Sequence, residues 1–173
     1  MDLKSKIRNV PDFPKEGINF FDITTLLQDG DAFRQSVKEM AEIYRGEKLD
    51  YIASAEARGF IFGAPLAIEL GVGFVPVRKP GKLPSDTLYY EYELEYGKDA
   101  LEIHKDPIKK GDRVLLVDDL LATGGTIEAA AKMVEQLGGV VAGMCFLIEL
   151  SFLNGREKLK GYEIKSLISY DSD

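Results

Sequence analysis

A chain of 173 residues is close to the usual length of one domain, and we interpret residues 1–173 as a single domain. Its 22 basic and 29 acidic residues give a net charge of −7, which argues against nonspecific binding to nucleic acid or to a membrane surface. A single cysteine, Cys145, excludes an intrachain disulfide, and a single histidine, His104, excludes a histidine metal cluster. No apolar run is long enough to span a membrane, and the first residues lack a signal-peptide core, so we expect a cytoplasmic protein.

The first half of the chain alternates between helical and strand patterns. Asp31–Arg45 carries apolar residues at helical spacing, and Asp31 is its predicted N-cap. A short buried strand follows and ends near Ser54, before a predicted helix over Arg58–Gly71 that its last glycine closes. Gly73–Val77 then predicts a second strand.

The second half continues this alternation after an unusual segment. That segment opens as RKPGKLPSD, a loop composition, and continues as YYEYELEYG, where tyrosine and glutamate alternate with the period of a strand. Next come a buried strand, RVLLVDD, a helix, TIEAAAKMVEQLGG, and another strand, VVAGMCFLIEL. Strands separated by helices predict an α/β fold with a parallel sheet, which binds ligands beyond the carboxyl ends of its strands.

The stretch VLLVDDLLATGGT lies at one of those strand ends. Its last four residues, Thr123–Thr126, fall between strand and helix, where unpaired N–H groups and the helix dipole favour an anion. Gly124 and Gly125 let the backbone close around a phosphate. No lysine follows the glycines, so the loop is not a Walker A motif, and TGGT alone also suits an ordinary strand-to-helix turn.

Two carboxylates, Asp118 and Asp119, precede this loop although carboxylates repel phosphate. Sugar hydroxyls, which donate hydrogen bonds, would suit them, and so would Mg²⁺. A vicinal diol held by both carboxylates, with a phosphate a few atoms away, describes ribose 5-phosphate. An isolated pair of aspartates also suits a solvated loop or a helix cap, but the apolar strand before it and TGGT after it favour the sugar phosphate.

These motifs together resemble the type I phosphoribosyltransferases, and among them the adenine phosphoribosyltransferases. VLLVDDLLATGGT is similar to the phosphoribosyl-diphosphate signature of the whole group. The adenine branch is indicated by PDFPKEGINFFDITTLL, ARGFIFGAPLA, VRKPGKLP, LEYGKDALEIHKD and GREKL, which follow one another in the expected order. The resemblance implies a type I phosphoribosyltransferase core with helices on both faces of the sheet, and a small hood over the base formed by about residues 1–30.

The resemblance also implies an activity and its site. A ribosyl 5-phosphate would pass from phosphoribosyl diphosphate to N9 of adenine, giving AMP and diphosphate with the help of Mg²⁺. Asp118 and Asp119 would hold the ribose hydroxyls, and no side chain is assigned directly to Mg²⁺, which is expected mainly through substrate and water. The implied 5-phosphate residues are Ala122, Thr123, Gly124, Gly125 and Thr126. The implied diphosphate residues are Glu56, Ala57, Arg58, Arg78, Lys79 and Lys82, with a cis peptide between the first two.

Catalysis and base binding are implied in the same way. Glu95 of LEYG matches the catalytic glutamate of the family, which manages the N7 proton of adenine; by pattern alone, any glutamate of YELEYG suits the solvated face of an edge strand. Ile18, Asn19 and Phe20 match the hood, with Phe20 stacking on one face of adenine and Leu120 packing on the other. In the next position, 21, phenylalanine stands where many relatives carry arginine.

Two other functions stay open at this point. One is a non-catalytic regulator that senses phosphoribosyl diphosphate and binds nucleic acid, against which the charge of −7 counts. The other is a transferase for another purine base, against which the hood and LEYG count. The resemblance further implies a homodimer in which Arg78 reaches the neighbour's site, and no nucleic acid or membrane partner is expected.

Overall fold

The computed structural model describes residues 1–94 and 96–173. Its strands are β1 (Arg8–Pro11), β2 (Asn19–Asp22), β3 (Tyr51–Ala55), β4 (Gly73–Arg78), β5 (Thr87–Leu94), β6 (Gly97–His104), β7 (Arg113–Leu121), β8 (Val140–Leu150) and β9 (Ile164–Tyr170). Its α-helices are α1 (Thr24–Gln28), α2 (Gly30–Tyr44), α3 (Arg58–Leu70) and α4 (Gly125–Gln136), and short 3₁₀ helices cover Leu3–Lys6, Ser151–Leu153 and Gly155–Leu159.

A seven-stranded sheet with the order β5-β6-β4-β3-β7-β8-β9 forms the centre of the molecule. The five strands from β4 to β9 in this order are parallel, whereas β5 and β6 form an antiparallel hairpin at one edge. β1 and β2 form a separate antiparallel pair near the N-terminus. The parallel α/β prediction is confirmed, but the sequence patterns did not separate β6 from the strand before it.

Both faces of the central sheet are covered, because alternate residues of its inner strands enter two different hydrophobic clusters. On β7, Leu115 and Val117 pack with α2 and α3, while Val114 and Leu116 pack with α4. Cys145 is fully buried in the first cluster. None of the helices in the described residues combines the length and apolar character that crossing a membrane requires.

The ends of the elements differ from the predictions in two places. The N-cap of α2 is Asp29 rather than Asp31, because the Asp29 carboxylate accepts hydrogen bonds from the N–H groups of Asp31 and Ala32. β7 also ends at Leu121, two residues beyond the predicted strand RVLLVDD, which already contained both aspartates. Gly71 closes α3 in the left-handed conformation at φ 70°, as predicted.

Candidate active site

The TGGT loop connects β7 to α4 and presents a helix N-terminus. Gly124 occupies the N-cap position at φ 90°, a conformation that favours glycine, and no side chain caps the helix. The N–H groups of the first turn therefore remain available to an anion. A Cβ atom added to Gly125 would meet no atom within 4 Å, so this glycine faces open space. The geometry suits a bound phosphate.

A second helix N-terminus faces the first across a shared cavity. Ala57 is the N-cap of α3, and its methyl group cannot cap the helix. The Glu56–Ala57 peptide bond is cis, as the resemblance implied. The cavity has a volume of about 390 Å³. Its lining consists of Ala55, Glu56, Ala57, Arg58, Asp118, Asp119, Leu120, Leu121, Ala122, Thr123, Gly124, Gly125, Thr126 and Ile127.

The two aspartates in this cavity have different electrostatic surroundings. Asp119 is only 5% exposed, and its carboxylate accepts a 2.7 Å hydrogen bond from Nε of Arg58. Asp118 accepts a 2.8 Å hydrogen bond from the Asp119 N–H. Burial, followed by the charge of Asp119, raises the pKa of Asp118 well above its ordinary value. Both carboxylates could accept hydrogen bonds from a diol. The effect should be larger for Asp118, because Asp119 already has Arg58 as a cationic donor.

The basic loop after β4 is attached to the cavity through Glu56. The Glu56 carboxylate accepts 2.9 Å hydrogen bonds from Nε of Arg78 and from the N–H of Lys79. The Lys79 N–H first, and Arg78 as well, lower the pKa of Glu56 below its ordinary value. Glu56 therefore lies at the cavity as an ionised anchor for the basic residues. Within the described lining of the cavity, Arg78, Lys79 and Lys82 do not appear.

The β5–β6 hairpin makes a contact with the phosphate loop. The hydroxyl groups of Tyr92 and Thr126 lie 3.3 Å apart, and the Tyr92 hydroxyl is 3.5 Å from the Asp99 carboxylate. Asp99 also pairs with the ammonium group of Lys79. This chain of polar contacts connects the basic loop, the hairpin and the phosphate loop on one side of the cavity.

A smaller cavity of about 290 Å³ adjoins the first, since Arg58, Asp119 and Leu120 line both. Phe20 and Leu120, the two residues predicted for opposite faces of adenine, both line it. Its remaining lining is mostly apolar and consists of Phe13, Phe21, Asp22, Ile23, Thr24 and Ile148. An aromatic base in this cavity would lie next to a sugar phosphate in the larger one.

Comparison with known proteins identifies the family. A family model described as a phosphoribosyl transferase domain matches residues 24–169. An adenine phosphoribosyltransferase of Clostridium perfringens is 66% identical over 171 residues, which cover 99% of each chain. This chain belongs to the adenine phosphoribosyltransferases. As a member of that family it is a transferase enzyme.

Solved structures of other adenine phosphoribosyltransferases share the fold. The enzyme of Thermoanaerobacter pseudethanolicus superimposes with a TM-score of 0.94 at 64% identity, covering 97% of this chain and 98% of that one. The enzyme of Saccharomyces cerevisiae, crystallised with adenine and an imino-altritol bisphosphate, gives a TM-score of 0.89 at 43% identity and covers 95% of both chains. The predicted type I phosphoribosyltransferase fold is confirmed.

Some residues predicted for the adenine phosphoribosyltransferase site lie elsewhere in the structure. Ile18 and Asn19 do not belong to the described lining of the smaller cavity; the Ile18 carbonyl accepts a 3.0 Å hydrogen bond from the N–H of Phe13, and Asn19 pairs with Pro11 in the β1–β2 ladder. Both therefore support the hairpin that carries Phe20. Glu95, the predicted catalytic residue, lies outside the described residues.

Two aromatic residues of the smaller cavity, Phe13 and Phe21, were not predicted to line it. Phe13 packs edge-on against Phe20, with ring centroids 5.1 Å apart. Phe21 is 8% exposed and stacks on Tyr170 of β9, with ring centroids 4.1 Å apart. It therefore packs the β1–β2 pair against the central sheet, at a position where many relatives have a charged arginine. Only the aromatic content of PDFPKEGINFF pointed toward these roles.

Proposed function

We propose that this chain makes AMP and diphosphate from adenine and phosphoribosyl diphosphate in purine salvage. The observation that carries the proposal is the junction of the two cavities at Asp119 and Leu120. A base in the smaller cavity and a ribose in the larger one would meet there, where the N9–C1′ bond must form. The adenine in the yeast relative supports a base of this size and polarity.

The ribosyl 5-phosphate would be held by groups of the TGGT loop. Its oxygens would accept hydrogen bonds from the first-turn N–H groups of α4 and from the hydroxyl groups of Thr123 and Thr126, which line the cavity. Asp118 and Asp119 would accept hydrogen bonds from the two ribose hydroxyls. The diphosphate would lie against the N-terminus of α3 and Arg58, with Arg78, Lys79 and Lys82 supplied by the adjoining loop.

In the reaction, the bond between C1′ and the diphosphate oxygen breaks, and its electron pair leaves with diphosphate. The N9 lone pair of the N7–H tautomer forms the new bond, and the N7 proton would pass to the carboxylate of Glu95 and from there to water. The intervening ribose resembles an oxocarbenium ion, so catalysis comes mainly from positioning and from the fixed charges around it. Glu95 would accept a hydrogen bond at N7 that strengthens as positive charge develops on the base.

The proposed reaction includes Mg²⁺, which would bind together with phosphoribosyl diphosphate. When bound, it would neutralise charge on the departing diphosphate. In the part of the chain that the structure describes, no group of three or more His, Cys, Asp or Glu side chains comes together to hold a metal. Of the three cavity carboxylates, Asp119 pairs with Arg58 and Glu56 with Arg78, and only Asp118 lacks a cationic partner among the described residues. The ion would therefore meet the protein mainly through substrate oxygens and water.

Two further features stay predictions: a cytoplasmic location, and a homodimer in which Arg78 reaches the neighbour's site. Arg78 donates to Glu56 of its own chain, so it would have to serve the neighbour with its remaining guanidinium donors. Light scattering during size-exclusion chromatography tests the assembly, and a monomeric mass at the concentration of the assay contradicts it.

One assay tests the function. The purified chain is incubated with phosphoribosyl diphosphate, Mg²⁺ and, in turn, adenine, hypoxanthine, guanine and xanthine, and nucleotide and diphosphate are quantified. We expect AMP and diphosphate in equal amounts with adenine, and little product with the 6-oxopurines. A preference for another base would overturn the adenine assignment, and a lack of product with every base would favour a non-catalytic regulator.

A further inference from the structure

The GREKL segment, Gly155–Leu159, packs directly against the phosphate loop. A Cβ atom added to Gly155 would lie 2.5 Å from the carbonyl oxygen of Ala122 and 2.9 Å from a methyl carbon of Leu121. A Cβ atom added to Gly124 would lie 2.9 Å from the carbonyl oxygen of Gly155. Because backbone touches backbone on both sides, the position of Gly155 fixes where Ala122 and Gly124 can lie.

A buried carboxylate holds this segment in place. Glu149 is 6% exposed and accepts hydrogen bonds from Arg156 at Nε (2.7 Å) and Nη2 (2.8 Å). The Ser166 hydroxyl of β9 donates a third, at 3.0 Å. Paired, planar hydrogen bonds of this kind fix the direction of a guanidinium group more firmly than a single contact does. Arg156 is therefore aligned by two adjacent strands of the sheet.

The same carboxylate is in register with the start of the phosphate loop. In the parallel ladder of β7 and β8, Glu149 is the partner of Leu121, the last residue of β7 before the loop. Arg156 follows Gly155 directly in the chain. The ion pair between Glu149 and Arg156 therefore connects β8 to the GREKL segment. β8 is in register with Leu121, and Gly155 of the GREKL segment packs against Leu121 and Ala122.

We propose that Arg156, held by Glu149, is a positioning residue for the 5-phosphate: it presses Gly155 against the TGGT loop and sets the direction of that loop's N–H groups. The inference rests on the proposed function, because that function names the ligand of the loop. Arg156 acts through the loop and not by contact, since the described lining of the larger cavity does not contain it.

Ribose 5-phosphate is the probe, because it carries the phosphate and the diol but no diphosphate or base. Its affinity for wild type, Arg156→Lys, Arg156→Ala and Glu149→Gln is measured by titration calorimetry, with folding of each variant checked by circular dichroism. Lysine retains the charge but cannot form the paired hydrogen bonds. We expect binding to weaken about 10- to 100-fold, as is typical when the support of a binding group is lost.

Steady-state kinetics separate positioning from general structural damage. We expect the KM for phosphoribosyl diphosphate to rise by a similar factor, while kcat and the KM for adenine stay within about 2-fold of wild type. The Glu149→Gln and Arg156→Lys double variant should lose no more than the worse single variant, because the pair acts as a unit. Arg45→Lys makes the same substitution in the exposed ion pair with Glu42 at the end of α2 and should change nothing.

Unchanged affinity for ribose 5-phosphate in a folded Arg156→Lys chain would overturn the proposal, as would a loss confined to kcat or to adenine. If Arg156→Ala does not fold, Arg156→Lys and Ser166→Ala decide, the latter with a smaller loss in the same direction. The calorimetry does not depend on catalysis. Failure of the proposed function would appear as a wild-type chain that binds ribose 5-phosphate but forms no AMP, whatever the variants do.

Discussion

Arg58 donates a 2.7 Å hydrogen bond to Asp119, so one member of the aspartate pair has a cationic partner within the chain. Asp118, which is half-buried, accepts from the N–H of its neighbour instead, and desolvation and the adjacent carboxylate raise its pKa. Two aspartates that look equivalent in the sequence therefore differ in the charged groups around them. The carboxylate of Asp118 is therefore expected to favour ribose binding but to lower the free energy of unfolding, and both effects can be measured.

Replacing both aspartates tests whether Asp118 and Asp119 bind the ribose hydroxyls. We expect the Asp118→Asn and Asp119→Asn double variant to fold and to lose turnover by about 10²- to 10⁴-fold, because a hydrogen bond to a charged group contributes roughly 1.5–3 kcal/mol. Initial rates of AMP formation are compared with far-UV circular dichroism on the same samples. Wild-type turnover in the double variant would remove the pair from the ribose site.

Replacing Asp118 alone should stabilise the ligand-free chain. Its pKa is raised on folding, so the cost of keeping it charged is absent below its ordinary value of 3.8 and fully present above the folded-state pKa. We expect Asp118→Asn to increase the free energy of unfolding at neutral pH by about 1 kcal/mol. Single stabilising substitutions typically have effects of this size, often with a loss of function.

Urea denaturation of wild type and Asp118→Asn over a series of pH values checks this sign. The difference in free energy of unfolding should fall toward zero as the pH approaches 3.8 from above. Asp106→Asn makes the same substitution at an exposed position and is the control. A less stable Asp118→Asn chain at neutral pH would contradict the electrostatic account.

Gly125→Val tests the phosphate cradle. A Cβ atom at this position meets nothing within 4 Å, so we expect the chain to fold, while the branched side chain fills the space that a phosphate would occupy. Affinity for AMP and for ribose 5-phosphate should fall below detection in calorimetry. Gly30→Val is a matched control, since Gly30 also opens a helix and also faces open space. Normal AMP affinity in the first variant would count against the loop.

The sequence predicted those parts of the site that depend on neighbours in the chain. TGGT and the aspartates belong to one continuous stretch, so strand, loop and helix could be placed by pattern and by anion chemistry. The role of GREKL and the difference between Asp118 and Asp119 depend on contacts with residues far away in the sequence, among them Glu149 and Arg58. Spacing along one chain contains no signal for such contacts.

The edge hairpin shows the same limit. Alternation predicted β5, and the structure confirms it, with Tyr90 and Tyr92 half-buried and Glu91 and Glu93 exposed. β6 was not separated from β5, because β5 ends at Leu94 and β6 begins at Gly97, so the sequence has no run of turn-forming residues between the two strands. Which glutamate of this segment acts in catalysis is a question for experiment.

Glu95→Gln answers that question. Adenine attacks through N9, so positive charge or a proton must be accommodated on its imidazole ring, and a carboxylate near N7 would accept that hydrogen bond. Glutamine retains the size but loses the charge. We expect turnover with adenine to fall by about 10²- to 10⁴-fold, the usual contribution of a positioned acid or base, with binding of phosphoribosyl diphosphate nearly intact.

Glu91→Gln and Glu93→Gln are the matched controls, because both side chains are exposed on β5 of the same hairpin. Each variant is assayed for kcat with adenine and for affinity toward phosphoribosyl diphosphate with Mg²⁺. If the controls retain wild-type turnover while Glu95→Gln loses it, the effect belongs to one carboxylate and its position. Equal losses in all three would mean that the segment acts through its total negative charge, since each substitution removes the same charge. Full turnover in Glu95→Gln would remove this residue from the mechanism, and the proton of the base would then have to leave to water or to another group.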